Sequence, residues 1–127
     1  MEHNLERNKQ NAIAFYQTAF EAEPRKAVEQ YVGNDYIQHN PLVGDGKEPF
    51  IYYFERMAKE YPEKSIVFVR SIAEGDLVAL HTHQTWPGSI EYVTMDFFRF
   101  DENGKIVEHW DSMQEIPEKS ENGNTMY

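Results

Sequence analysis

No cysteine occurs in the 127 residues, which excludes disulfides, thiolate metal sites and cysteine nucleophiles. Positive charge is scarce as well. Twelve Lys and Arg stand against 22 Asp and Glu, a formal net charge of −10, which argues against a phosphate backbone or an anionic membrane as partner. Apolar runs such as Ile66-Val67-Phe68-Val69 and Leu77-Val78-Ala79-Leu80 are far too short to span a bilayer. The start of the chain, Met1-Glu2-His3-Asn4-Leu5-Glu6-Arg7, has no apolar stretch like a secretory signal, so the expectation is a soluble, cytoplasmic protein. No G-x-G-x-x-G, Walker loop, G-x-S-x-G elbow or H-E-x-x-H occurs. Ser65, Ser71, Ser89, Ser112 and Ser120 lie in none of those nucleophile contexts, and Lys47, Lys59, Lys64 and Lys105 read as solvated surface charges.

What is there is globular. Hydrophobic residues make up 40% and aromatic residues 14%, with 8 Tyr, 8 Phe and 2 Trp, a load that a disordered chain lacks. The length fits one domain, over residues 1–116, with a polar C-terminal tail from Pro117 to Tyr127. Neither repeats nor low-complexity blocks interrupt it.

The first half reads helical. Ile13, Tyr16, Ala19 and Phe20 recur at helical spacing between about Leu5 and Glu21. Pro24 suits the first turn of a second short helix, which carries Ala27, Val28, Tyr31 and Val32 inward and ends in turn chemistry at Gly33-Asn34-Asp35. Pro41 holds Asn40 out of the helical region, so Tyr36–Pro41 is extended. After Gly44-Asp45-Gly46, a single apolar stripe of Phe50, Ile51, Phe54, Met57, Ala58 and Tyr61 marks the clearest helix, closed by Pro62. The second half switches to strands: Ser65–Ala73, Leu77–Trp86, Ile90–Phe100 and Lys105–Glu115. Glu74-Gly75-Asp76, Pro87-Gly88 and Asp101-Glu102-Asn103-Gly104 join them as tight turns, which makes an antiparallel meander. Helices followed by a curved sheet define an α+β fold. One sheet face covers the helices. Val78, Leu80, Trp86, Val93 and Phe97 overload the other for solvent, so a homodimer through the sheet is expected.

Alternation along the strands places His81 and His83 on one face of theirs, and Thr94, Asp96 and Phe98 together on the next. A carboxylate among Met95, Phe97 and Phe98 is costly unless partnered. Ionised, Asp96 takes a proton; neutral, it donates to a developing oxyanion. His81 or His83 is the natural second group on the neighbouring strand, while a structural Asp–His or Asp–Arg pair with Arg70 or Arg99 is the plainer reading. His39 and Asn40 supply donors and acceptors suited to a carbonyl or enol, and Asn before Pro is also simply a good turn starter. In Glu108-His109-Trp110-Asp111, alternation groups His109 with Asp111 and Glu108 with Trp110, without saying which pair faces inward. His81-Thr82-His83 also raises a metal site completed by His39, Asp96 or His109.

With these residues in place, the chain resembles the polyketide-cyclase-like branch of the nuclear-transport-factor-2-like superfamily, often called SnoaL-like. The carriers are Tyr36-Ile37-Gln38-His39-Asn40-Pro41, the run from Asp96 to Asp111 with its Asn103-Gly104 hairpin, and Ile116-Pro117-Glu118-Lys119-Ser120. The resemblance implies a cone-shaped fold: N-terminal helices on a strongly curved, mixed, mostly antiparallel sheet that wraps a pocket. It implies chemistry without metal or organic cofactor, with Asp96 in the acid/base position and a His on the preceding strand assisting, His83 favoured over His81. His39, Asn40, Trp86, His109, Trp110 and Asp111 fall where such pockets are lined, and Tyr16 is a candidate oxyanion donor. Pocket volume depends on how far Phe50, Phe54, Phe98 and Trp110 intrude, which periodicity does not report. The function expected is aldol-type cyclase, lyase or isomerase chemistry on a small carbonyl compound. The alternatives are a non-catalytic dimeric module binding an apolar small molecule, and a metal enzyme built on His81 and His83.

Overall fold

The computed structural model describes residues 3–86, 88 and 90–127. Chain order is α1 (Leu5–Phe20), α2 (Pro24–Tyr31), β1 (Val32–Gln38), α3 (Lys47–Glu60), β2 (Ser65–Glu74), β3 (Leu77–Trp86), β4 (Ile90–Phe100) and β5 (Ile106–Glu115). Local chemistry sets several of these limits. Asn4 caps α1 by accepting the Arg7 N–H at 2.9 Å, satisfying one of the donors a helix start leaves open. Pro24 opens α2, where its missing N–H costs nothing.

The strands form one mixed sheet in the order β1-β5-β4-β3-β2. The meander is antiparallel throughout, and β1 joins β5 in parallel. Parallel pairing continues one residue past β1, where the His39 N–H donates to the His109 carbonyl at 3.0 Å. This α+β arrangement of three helices on a mixed sheet is the expected one. Two details differ. Gly33-Asn34-Asp35 is not a turn: β1 starts directly at Val32 and absorbs those residues in an irregular register against β5. The Pro87-Gly88 turn falls partly outside the described residues, although Gly88 itself has a positive φ of 87°.

The inward face of β3 carries Val78, Leu80, Thr82 and Gln84, all buried, and Trp86, half-buried. Val78, Leu80 and Trp86 therefore do not belong to the outer face where sequence patterning placed them. Ala12, Phe15, Tyr16, Ala19 and Phe20 on α1, with Phe50 and Ile51 on α3, close over Val78, Leu80, Phe98, Phe100 and Ile106. Phe15 ties the layers together, stacked on Phe50 at 5.1 Å and edge-on to Phe98 at 5.9 Å. The outer face keeps Val67, Ile72, Met95 and Phe97 exposed. The polar tail is irregular but returns across this outer face. Met126 O accepts from His81 Nε2 at 2.9 Å, and the Tyr127 ring stacks on His83 at 3.8 Å.

Phe98 is fully buried where Phe15 and Tyr16 of α1 meet the sheet. Phe98→Ala should cost about 3–5 kcal/mol in urea denaturation through lost burial and an unfilled cavity. A loss well under 1 kcal/mol would show that this contact does not anchor the helices.

Candidate functional site

Thr94, Asp96 and Phe98 share the inward face of β4, and Asp96 is 0% exposed. A buried carboxylate is costly unless both oxygens are bonded. Here both are. The Thr94 hydroxyl donates to Oδ1 at 2.5 Å, and His109 Nε2 lies 2.8 Å from Oδ2. The β4–β5 register sets Phe98 opposite His109 and Asp96 opposite Asp111, so His109 reaches Asp96 diagonally. The His109 ring stacks on Phe98, with centroids 4.6 Å apart and planes at 17°.

The other side of His109 determines its tautomer. Nδ1 lies 3.0 Å from Gln38 Oε1, which also accepts the backbone N–H of His39 at 3.1 Å and of Asn40 at 3.0 Å. Gln38 Nε2 in turn donates to the Tyr36 hydroxyl at 3.0 Å. Two backbone donors on one amide oxygen identify it as the acceptor, so His109 Nδ1 must carry a hydrogen. Nε2 then faces a carboxylate oxygen, and a lone pair cannot face another lone pair at 2.8 Å. Asp96 and His109 therefore hold one proton between them.

A second line of donors reaches Asp96 along β3. Trp86 Nε1 donates to Gln84 Oε1 at 3.2 Å, and Gln84 Nε2 donates to Thr82 Oγ1 at 3.3 Å and to the Tyr16 hydroxyl at 3.1 Å. Thr82 and Thr94 hydroxyls lie 2.5 Å apart. Since Thr94 spends its hydrogen on Asp96, Thr82 is the donor of that pair. Apart from the branch to Tyr16, each donor in the line hands on toward the Asp96 carboxylate, an arrangement that strengthens each bond in a low-dielectric interior.

Asp111 stands in front of this pair, half-buried in a cavity of about 30 Å³ that Tyr16, Asn40, Gln84 and His109 also line. The volume is room for about one or two waters. Asn40 Oδ1 accepts the Leu42 N–H at 2.8 Å, which turns its amide nitrogen toward Asp111 Oδ2 at 3.1 Å. Burial raises the Asp111 carboxyl above its ordinary pKa of 3.8; His109 opposes this, the Asp96 charge adds to it, and Asn40 opposes it. Burial also pushes the Tyr16 phenol well up, reinforced by the charges of Asp96 and Asp111, so Tyr16 stays a donor at neutral pH.

The SnoaL-like domain model matches residues 12–109. The chain belongs to that family. No curated protein matches it. Among solved structures, TsrD from Streptomyces laurentii is 18% identical over 84% of this chain and 88% of its own, with a TM-score of 0.72. IdmH from Streptomyces antibioticus, described as a candidate polyketide cyclase, is 19% identical over 84% of this chain and 91% of its own, at 0.70. An LEH-like epoxide hydrolase from M. tuberculosis is 18% identical over 87% and 84%, also at 0.70. At these identities the likeness concerns the fold.

This SnoaL-like cup brings Tyr16, Asn40, Phe54, Trp86, Phe98, His109 and Asp111 to one cavity. Asp96 lies one step behind, bonded to His109. The pairing of Asp96 with His83 does not occur, because Leu80 stands opposite Asp96 and both strand histidines point to the outer face. His83 bonds Glu91 at 2.7 Å; His81 contacts Arg70 and the tail. Among the described residues, His81 and His83 belong to no group compact enough to hold a metal: Asp96 and His109 face the other way, and His39 bonds Glu108 at 2.7 Å. His39 and Trp110 stack on each other at 4.8 Å on the outer face, away from the cavity. Asp96, His109 and Asp111 are compact enough to hold a cation, with one ligand atom each inside 4.8 Å, but both His109 nitrogens are already engaged.

Gln38, Thr82, Gln84 and Thr94 were not anticipated. The available signal was a polar residue at every second position after Val78 and Leu80, which marks a cavity wall continuing a core face.

Asp111 binds its proton more tightly in the fold than unfolded, so its ionisation costs stability above the raised pKa. Asp111→Asn should therefore melt at a higher temperature than the native chain at pH 7. The gap should close as pH falls through the raised pKa toward 3.8. A variant less stable at pH 7, or a gap independent of pH, contradicts this environment for Asp111.

Proposed function

We propose that this SnoaL-like protein catalyses proton transfer at a carbon beside a carbonyl, as a cofactor-free aldol-type cyclase or lyase, or an isomerase. The observation that carries the reading is a cavity-facing carboxylate of raised pKa beside a buried Asp–His pair that shares one proton. Ionised Asp111 takes the α-proton while Asn40 holds it in place. Negative charge moves to the carbonyl oxygen, where Tyr16 donates its hydroxyl hydrogen. In an isomerisation, Asp111 returns the proton to a second carbon. In an aldol closure, the enolate carbon attacks a second carbonyl, and Asp111 gives the proton it took to the new alkoxide. Asp96 acts through His109 as a positioning residue.

Cyclase chemistry attributed to IdmH and epoxide hydrolysis attributed to the M. tuberculosis protein both need acid and base in such a cup, which supports the reading. A homodimer through the outer face belongs to the same proposal, supported by exposed Val67, Ile72, Met95 and Phe97.

Deuterium uptake at the α-carbon of 2-octanone in D₂O, followed by mass spectrometry, tests the chemistry. The native protein should exceed buffer catalysis, and Asp111→Asn should lower the rate about 10²–10⁴-fold. Asp96→Asn should lower it with the ketone's dissociation constant unchanged, and should change the shape of the pH–rate profile, which a packing defect leaves alone. Undiminished exchange in Asp111→Asn overturns the mechanism.

A further inference from the structure

The inner cavity is too small for any whole substrate. Beyond it lies a second, larger cleft of about 250 Å³, lined by Leu42, Met57, Tyr61, Ile90 and Tyr92. Tyr53, Trp86 and Met113 line both spaces and so stand between them. Trp86 is held there by edge contacts with Tyr61 at 5.1 Å and Tyr92 at 6.0 Å, and by its indole bond to Gln84. Inner and outer spaces differ in chemistry. All the carboxyl, imidazole and amide groups stand in the inner one. The outer one is lined by apolar and phenolic side chains, with no charged side chain among the described residues.

We infer that the substrate is bipartite and uncharged: a small carbonyl head of a few heavy atoms in the inner cavity, and a longer apolar or aromatic substituent threaded past Trp86 into the outer cleft. The inference rests on the acid–base reading for the head alone. Size decides the division, because about 30 Å³ admits only the reacting atoms. Chemistry decides the character of the substituent. A wall without a cation, on a chain of net charge −10, offers nothing to a carboxylate, phosphate or nucleotide handle. A free molecule is therefore favoured over one tethered to an anionic carrier. Leu42, Ile90 and Tyr61 at the outer rim determine which substituents fit.

Calorimetric titration with a ketone series separates the two spaces. From 2-butanone to 2-octanone, affinity should rise roughly fourfold per added methylene as the chain fills the cleft. Placing a carboxylate at the far end of the same chain, as in 7-oxooctanoate, should weaken binding at least about tenfold. Leu42 and Ile90 are 79% and 40% exposed, so Leu42→Asp and Ile90→Asp should fold normally and flatten the dependence on chain length. Affinity independent of length, equal binding of 2-octanone and 7-oxooctanoate, or an unchanged slope in both variants overturns the inference. Deuterium exchange on the same 2-octanone reports the head separately. A steep slope without exchange leaves the cleft standing and removes the acid–base reading; exchange with a flat slope does the reverse.

Discussion

A carboxylate held out of water dictates much of this molecule. Asp96 sits fully buried on the inward sheet face beside Phe98, and removing a carboxylate from water without partners costs several kcal/mol. Its two oxygens are served from different directions, by a threonine on its own strand and a histidine on the next. Each partner then needs its own partner. The chain of hydrogen bonds runs on through Gln38 to Tyr36 and through Thr82 and Gln84 to Trp86 until it ends at groups that can satisfy themselves.

That requirement explains why β1 is part of the sheet. β1 pairs with β5 in parallel, in the one place where Gln38 can meet His109, and the register fixes both. Immediately beyond, the Asn40-Pro41 turn is tied down from inside by Gln38 Oε1 and from outside by Asn40's bond to the Leu42 N–H. Asn40 can then orient Asp111. These bonds hold the loop as one wall of the cavity, which is what a site needs if its groups are to act without reorganising. The electrostatic result is two carboxylates across one strand pair with unlike surroundings: one fully enclosed and bonded to an imidazole, the other half open in the cavity.

Much of the fold was legible. Helical spacing in α1 and α3 and the β-branched runs of the meander placed their elements to within a few residues, because those segments bury one face and their pattern says so. Val32–Asp35 was not legible, since glycine and asparagine there signal a turn and only pairing with β5 makes them strand. The site was half legible. Asp96 as a buried acid, and the grouping of His109 with Asp111, followed from alternation. Alternation cannot say which face is inward. The histidines of β3 attracted attention as chemistry-bearing residues, whereas the inward face was the one with Val78, Leu80, Thr82 and Gln84. Amides and hydroxyls in a cavity wall look ordinary one residue at a time. Their meaning appears only when the register brings Thr82 to Thr94 and Gln84 to Tyr16.

The account stands on one proton held between Asp96 and His109, with Nδ1 of the ring always protonated toward Gln38. Nitrogen-15 NMR of histidine-labelled protein, assigned by comparison with His109→Gln, observes both ring nitrogens directly across the pH range in which the protein stays folded. The predicted spectrum shows Nδ1 protonated at every pH, with a slowly exchanging, low-field proton on the Nε2 side. A spectrum in which Nδ1 carries the lone pair at any such pH would contradict the account.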